Sequence, residues 1–118
     1  MRALLVRDPW IDLILAGKKT WEIRGAATSV RGRIGLIRSG SGEISGTADL
    51  VACEGPLDLA ALRRHQRKHK VPIADLRGVL ERYERPHAWV VEHARRLRRP
   101  VPYEHPSGAV IWVHVPDL

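Results

Sequence analysis

Phenylalanine is absent from this 118-residue chain, and cysteine and methionine occur once each. The lone cysteine, Cys53, rules out an internal disulfide and is expected to be a buried thiol acting as a small hydrophobe in a reducing compartment. A nucleophilic role would need a base beside it, and Cys53 follows Ala52 in a strand-like run, away from any helix start. Long apolar runs are missing too. No stretch approaches the ~20 residues of a membrane span, and the N-terminus lacks the apolar core of a signal peptide. A cytoplasmic protein with no membrane partner is expected. Acidic residues are scarce: thirteen Asp and Glu face twenty Lys and Arg, for a formal charge of +7 and a sequence pI near 10.5. Polyanions are the natural partners of such a chain, although a basic surface also serves plain solubility.

The 44% apolar share comes mainly from Leu, Val, Ile and Ala with four Trp, which is ordinary for a globular protein. The length suits one domain over residues 1–118, with one core. Arg2–Val6 reads as a short buried strand. Asp8 as N-cap, Pro9 as first helical residue and Gly17 as a left-handed stop predict a two-turn helix over Pro9–Ala16. Thr20–Arg24 alternates, with Thr20, Glu22 and Arg24 on one face and Trp21 and Ile23 on the other. Gly25–Gly32 is a loop. Arg33–Arg38 and Ile44–Glu54 form a hairpin across Ser39-Gly40-Ser41-Gly42. Asp58 caps a helix running to about His69, Pro72 breaks the chain, and Ile73–Tyr83 is a second helical pattern that Gly78 weakens. His87–Glu92 and Ala109–Val115 are strands, and the basic segment Ala94–Gly108 between them is extended. About six short strands with inserted helices make an α+β protein, a small curved sheet or barrel with helices on its flank.

Chemistry concentrates in Gly17-Lys18-Lys19-Thr20-Trp21-Glu22-Ile23-Arg24, where a glycine stop delivers the chain from a helix into a strand of alternating facing. Lys19, Glu22 and Arg24 are placed to share one cleft. Residues two apart on a strand face lie about 7 Å apart, so Glu22 and Arg24 either grip one planar ligand or pair with each other. A carboxylate accepts from an exocyclic amine, and a guanidinium holds a carbonyl or phosphate with two prongs, which together suit a nucleobase edge. Trp21 points opposite Glu22 and belongs to the core, whereas Trp10 is the candidate cleft wall. Two basic stretches, Arg63, Arg64, Arg67, Lys68 and Lys70, then Arg95, Arg96, Arg98 and Arg99, are either solvated faces or contacts for a nucleic-acid backbone. His65 and His69 are four apart on a helix, but no carboxylate or cysteine completes a metal site, so no metal or cofactor is expected. The glycines at 40 and 42 lack the lysine and hydroxyl of a phosphate loop.

Pro9-Trp10 through Gly17-Lys18-Lys19-Thr20-Trp21-Glu22-Ile23-Arg24 resembles the signature of the ASCH domain family, relatives of the PUA and EVE RNA-binding folds. The resemblance continues through Gly32-Arg33-Ile34-Gly35-Leu36-Ile37-Arg38-Ser39 and Ile44-Ser45-Gly46-Thr47-Ala48. It extends to Ala88-Trp89-Val90-Val91, Pro100-Val101-Pro102-Tyr103, Gly108 and Trp112, and is weakest over Asp58–Tyr83. It implies a PUA-like β-barrel with a basic cleft between the first helix and the barrel. There Trp10, Lys18, Arg24 and Ser39 would contact a ligand, with Lys19 and Glu22 as the reactive pair. The implied partner is RNA, another single-stranded nucleic acid, or a modified nucleoside. Some bacterial members are amidohydrolases of acetylcytidine, in which the lysine matching Lys19, a threonine at the place of Glu22 and a separate glutamate are catalytic. That threonine is missing here, so the mechanism would need another nucleophile or an activated water. Other relatives are described as ribonucleases, for which His87, Tyr103 or His105 would carry the proton. Binding module, hydrolase, and a docking domain for an acidic protein are thus the three readings. Exposed strand edges allow a monomer or a weak dimer.

Overall fold

The computed structural model describes residues 1–118. Six strands form one curled sheet: β1 (Arg2–Val6), β2 (Trp21–Arg24), β3 (Gly32–Arg38), β4 (Glu43–Glu54), β5 (His87–Pro102) and β6 (Trp112–His114). Their order is β2-β5-β4-β3-β1-β6, a half-barrel with β2 and β6 at its edges. Only β1 and β3 run parallel; every other pairing is antiparallel. Four helices, α1 (Trp10–Leu15), α2 (Leu59–Arg64), α3 (Gln66–His69) and α4 (Leu76–Arg82), pack beside it. The α+β class and the six-stranded barrel-like sheet agree with the sequence reading. No helix is long and apolar enough to cross a membrane.

Within β1 the run Ala3–Val6 is continuously apolar because the strand is flanked by two others and buried on both faces. Leu4 and Val6 join a core with Ile11, Ile14, Leu36, Leu50 and Trp89. Ala3 and Leu5 point the other way, toward Ile37, Ile44 and Val113. A third cluster lies beneath α2 and α4, where Trp21 and Ile23 meet Leu62, Leu76 and Ala88. With no Phe, β-branched and leucine side chains do nearly all of this packing.

At α1 the start differs from expectation. Pro9 occupies the N-cap position and no side chain caps the helix, because the Asp8 carboxylate is taken by Arg38. The stop is as read. Gly17 has φ +75, Gly17 N–H bonds Ile14 O, and Lys18 N–H bonds Leu13 O, the paired bonds of a glycine-terminated helix. Asp58 caps α2 by accepting from Ala61 N–H at 2.8 Å. The predicted single helix to His69 is broken at His65 into α2 and α3. Likewise, Ile73–Tyr83 divides into a 3-10 turn, Ile73–Asp75, and α4.

The largest correction concerns β5, which runs on to Pro102 instead of ending at Glu92. Gly46 pairs with Arg96 while Ile44 pairs with Val101, so Leu97–Pro100 stand opposite one residue, Ser45, as a wide bulge. A bulge rich in arginine and proline reads as loop in sequence. Gly46 lets the layers meet there, since a Cβ would collide with Leu15 and the Arg95 carbonyl. In the last predicted strand, Ala109–Val115, only Trp112–His114 pairs. Cys53 is half-buried on β4, packed against the first core cluster.

Candidate functional site

The turn after Gly17 sends two adjacent lysines in opposite directions. Lys18 is exposed and is not among the residues lining the main cavity. Its neighbour Lys19 turns inward and is 2% exposed. The Lys19 ammonium donates to His69 O at 2.5 Å and lies 3.7 Å from Glu22 Oε1. On β2, Glu22 is 5% exposed, and its Oε2 accepts from Arg24 Nε at 3.0 Å and Nη2 at 2.8 Å. Arg24 Nη2 also donates to Leu5 O at 2.7 Å, tying edge strand β2 to β1, which is not its sheet neighbour. Glu22 and Arg24 therefore do pair, and the pair is extended by Lys19.

This array lines a cavity of about 680 Å³, within the ~300–1,000 Å³ range of ligand sites. Trp10 and Trp89 are in the same wall. The Lys19 ammonium is 4.7 Å from the Trp10 ring centre, and the Arg24 guanidinium carbon is 5.5 Å from that of Trp89, so each cation faces an indole. Trp89 reaches this face because it sits directly opposite Glu22 in the β2–β5 register. Its indole N–H is bound by Ala26 O at 2.8 Å, which fixes the ring. Ser39 lines the cavity too.

Electrostatically the floor is poised. Burial, the dominant cause, pulls Lys19 down from 10.5 to about 8; Glu22 opposes the fall and Arg24 adds to it. Glu22 Oε1 accepts no hydrogen bond within the protein, yet no sealed side-chain polar atom lacks a partner, so Oε1 keeps contact with the cavity. An acceptor flanked by an ammonium and a guanidinium is therefore offered to whatever enters.

His69 supports the floor. Its Nδ1 accepts from Val71 N–H at 3.0 Å, so Nε2 carries the proton and donates to Leu62 O at 2.6 Å. Burial holds its pKa below the ordinary value. Both ring nitrogens are engaged, and His65 tilts against the Trp21 ring at 4.5 Å, so the two histidines do not act as a ligand pair.

The basic stretches are elsewhere. Arg63, Arg64, Arg67 and Lys68 are exposed on α2 and α3, and Arg95, Arg96, Arg98 and Arg99 on β5; none lines the main cavity. Lys68 instead covers the Trp21 ring at 5.0 Å. Arg96 and Arg98 border a second hollow of about 310 Å³ with Arg38. That hollow is largely neutralised, since Asp12 binds Arg38 at 2.6 Å and Arg96 at 3.2 Å. Of the proton carriers considered, His87 bonds Arg85 O at 2.8 Å and Tyr103 pairs with His105 at 2.8 Å; none of the three faces the cavity. Sequence reasoning missed Arg7, Arg82, Tyr83 and Trp89 as lining residues. The β2–β5 register would have found Trp89; no local signal marks the other three.

A comparison with curated proteins finds no match. Among solved structures, the crystal structure of ASCH from Zymomonas mobilis is 21% identical, covers 86% of this chain and 72% of its own, and superposes with a TM-score of 0.72. A serine-to-alanine mutant of that protein covers 96% of this chain and 87% of its own, with a TM-score of 0.75 at 21% identity. These likenesses establish the fold. The ASCH domain family model matches residues 4–101, a span that holds the Lys19–Glu22–Arg24 array, both indoles, the whole of β2, β3 and β4 and most of β1 and β5, and the chain belongs to the ASCH domain family.

Proposed function

We propose that this protein binds a nucleobase, as part of RNA or of a modified nucleoside, in the cavity floored by Lys19, Glu22 and Arg24. One observation carries the reading: two charged side chains, Lys19 and Glu22, are buried side by side, with the half-buried Arg24 bonded to Glu22, against an open cavity lined also by Trp10 and Trp89. Buried ionic groups are costly, and apolar residues of similar volume would usually hold the strands at least as well. An array kept for packing alone would be enclosed by side chains, whereas here Glu22 Oε1 has only the Lys19 ammonium at 3.7 Å and the outer guanidinium nitrogen of Arg24 has no hydrogen-bond partner in the protein. They match the mixed donors and acceptors of a base edge, and Trp10 offers an apolar wall beside them, while the Trp89 ring, stacked on Trp112 and covered by Arg24, backs the guanidinium. The fold, of a kind related to RNA-binding PUA-like domains, supports the same reading.

Hydrolysis in the same cleft is favoured by one observation, the near-neutral Lys19 beside a buried carboxylate. The test is to incubate the purified protein with acetylcytidine and with short RNA, alongside Lys19→Ala. Binding that falls steeply with salt and is lost in the variant, without product, supports the module. Product that disappears in the variant supports the enzyme. Neither binding nor product rejects both.

A further inference from the structure

Two arginines at the cavity have no counter-charge. Arg7 follows β1 and Arg82 ends α4, on opposite sides of the chain; both are exposed and both line the cavity, so they stand at its rim. Neither forms an ion pair, whereas Arg24, Arg38 and Arg96 are each bound to a carboxylate. The lining holds four cations, Arg7, Lys19, Arg24 and Arg82, against two carboxylates, Glu22 and Asp75. Glu22 is already bonded to Arg24. Asp75 precedes α4, seven residues before Arg82, about 10 Å along the helix axis. The rim near Arg7 and Arg82 is therefore positive.

A hydroxyl joins Arg7. The parallel strands β1 and β3 are in register at Val6 and Arg38, and Ser39 N–H bonds Val6 O at 2.9 Å. The next residue on one strand, Arg7, thus emerges beside the next on the other, Ser39, where the two strands end together at the cavity. The Ser39 hydroxyl makes no hydrogen bond within the protein. A guanidinium beside a free hydroxyl is a donor set suited to phosphate oxygens.

We infer that Arg7 and Ser39 form a phosphate subsite at the rim, with Arg82 opposite, so that the cavity takes a nucleotide in preference to a free nucleoside. This rests on the base-binding reading of the cavity floor. A base seated on Lys19, Glu22 and Arg24 leaves its sugar phosphate to reach the rim, and the arginine stretches on α2, α3 and β5 have no part in that contact.

The test is isothermal titration at low salt with the four common nucleosides and N4-acetylcytidine, their 5′-monophosphates, inorganic phosphate and a tetraribonucleotide. At least one monophosphate should bind about tenfold or more tightly than its nucleoside, the factor one charge-assisted pair supplies. In Arg7→Ala/Arg82→Ala that gap should shrink below about threefold while nucleoside affinity holds. Arg7→Lys should keep part of the gap, and Arg63→Ala/Arg64→Ala/Arg67→Ala should keep all of it. A gap that survives the rim double variant, or that vanishes in the α2–α3 triple variant, overturns the subsite and leaves base binding intact. If inorganic phosphate binds as well as the monophosphates and needs Arg7, the subsite stands and the base-binding reading fails. If no ligand binds, both fall. An Arg7-dependent tetranucleotide that outbinds every mononucleotide identifies an RNA chain as the source of the phosphate; the reverse order identifies a free nucleotide.

Discussion

Lys19 makes a prediction about stability that needs no ligand. Its ammonium is buried, and burial lowers its pKa from 10.5 to about 8, so the protonated form is the one the folded state tolerates poorly. Below about pH 8 both folded and unfolded chains hold the proton, and the whole penalty is present. Between about 8 and 10.5 the unfolded chain still holds a proton that the folded chain has released, so stability rises with pH. Taking about 1.4 kcal/mol per unit, the gain between pH 8 and pH 10 is roughly 2 kcal/mol. Replacing Lys19 by Met removes the titration. It also strips His69 O of its donor, a loss that offsets much of the relief at neutral pH. Urea unfolding followed by tryptophan fluorescence at pH 7, 8, 9 and 10 measures both proteins. The series stops at 10 because half-buried Tyr103, whose pKa is raised, pulls stability down beyond that. A wild-type curve that is flat or falling from 8 to 10, or a Met variant that keeps the same rise, refutes the reasoning.

Other substitutions probe the same frame. Glu22→Gln keeps the shape but leaves Lys19 and Arg24 without their shared carboxylate, and should cost about 3–5 kcal/mol in urea unfolding at pH 7; a loss under 1 kcal/mol would mean the array is solvated. Asp58→Ala removes the α2 cap seen at Ala61 N–H and should cost about 1 kcal/mol, with Asp58→Asn restoring most of it. Gly46→Ala places a methyl group against Leu15 and the Arg95 carbonyl; a cost of at least ~2 kcal/mol in chemical denaturation is expected, and an unchanged midpoint would show that β4 and β5 separate easily.

Much of the frame was legible because local chemistry and tertiary demand agree. The run Ala3–Val6 is apolar on both faces and is buried on both. The alternation Thr20–Arg24 separates Trp21, in the core beneath the helices, from Glu22 and Arg24 on the cavity, whereas Ile23 packs in that core and also touches the cavity. Gly17 terminates α1 with the paired bonds its position predicts. The failures have equally local causes. Asp8 is a good cap by type, but a nearby guanidinium outcompetes a helix N-terminus for its carboxylate. β5 loses its alternation just past Glu92, where His93, at φ +53, and Ala94 stand opposite Ala48 as one bulge, and again where Arg98, Arg99 and Pro100 fill a second. The cavity was only half legible, since Lys19 and Arg24 are anchored by the carbonyls of His69 and Leu5, and backbone acceptors leave no mark on sequence. Lys18 and Lys19 are the same residue type one step apart, and only the geometry of the helix end decides which of them faces inward.

The carboxylate at position 22 also bears on the choice between holding a ligand and cleaving it. Glu22 is 3.7 Å from Lys19 and works against its deprotonation. Burial and Arg24 push the amine toward the neutral form a general base requires, and Glu22 pushes it back toward the charged form that binds electron-rich groups. Glu22 further fastens Arg24 over the Trp89 ring, so that a donor is fixed before any ligand arrives. On the binding reading proposed above these charges serve recognition, and a Lys19 acting as general base would first have to release a proton that its nearest carboxylate stabilises.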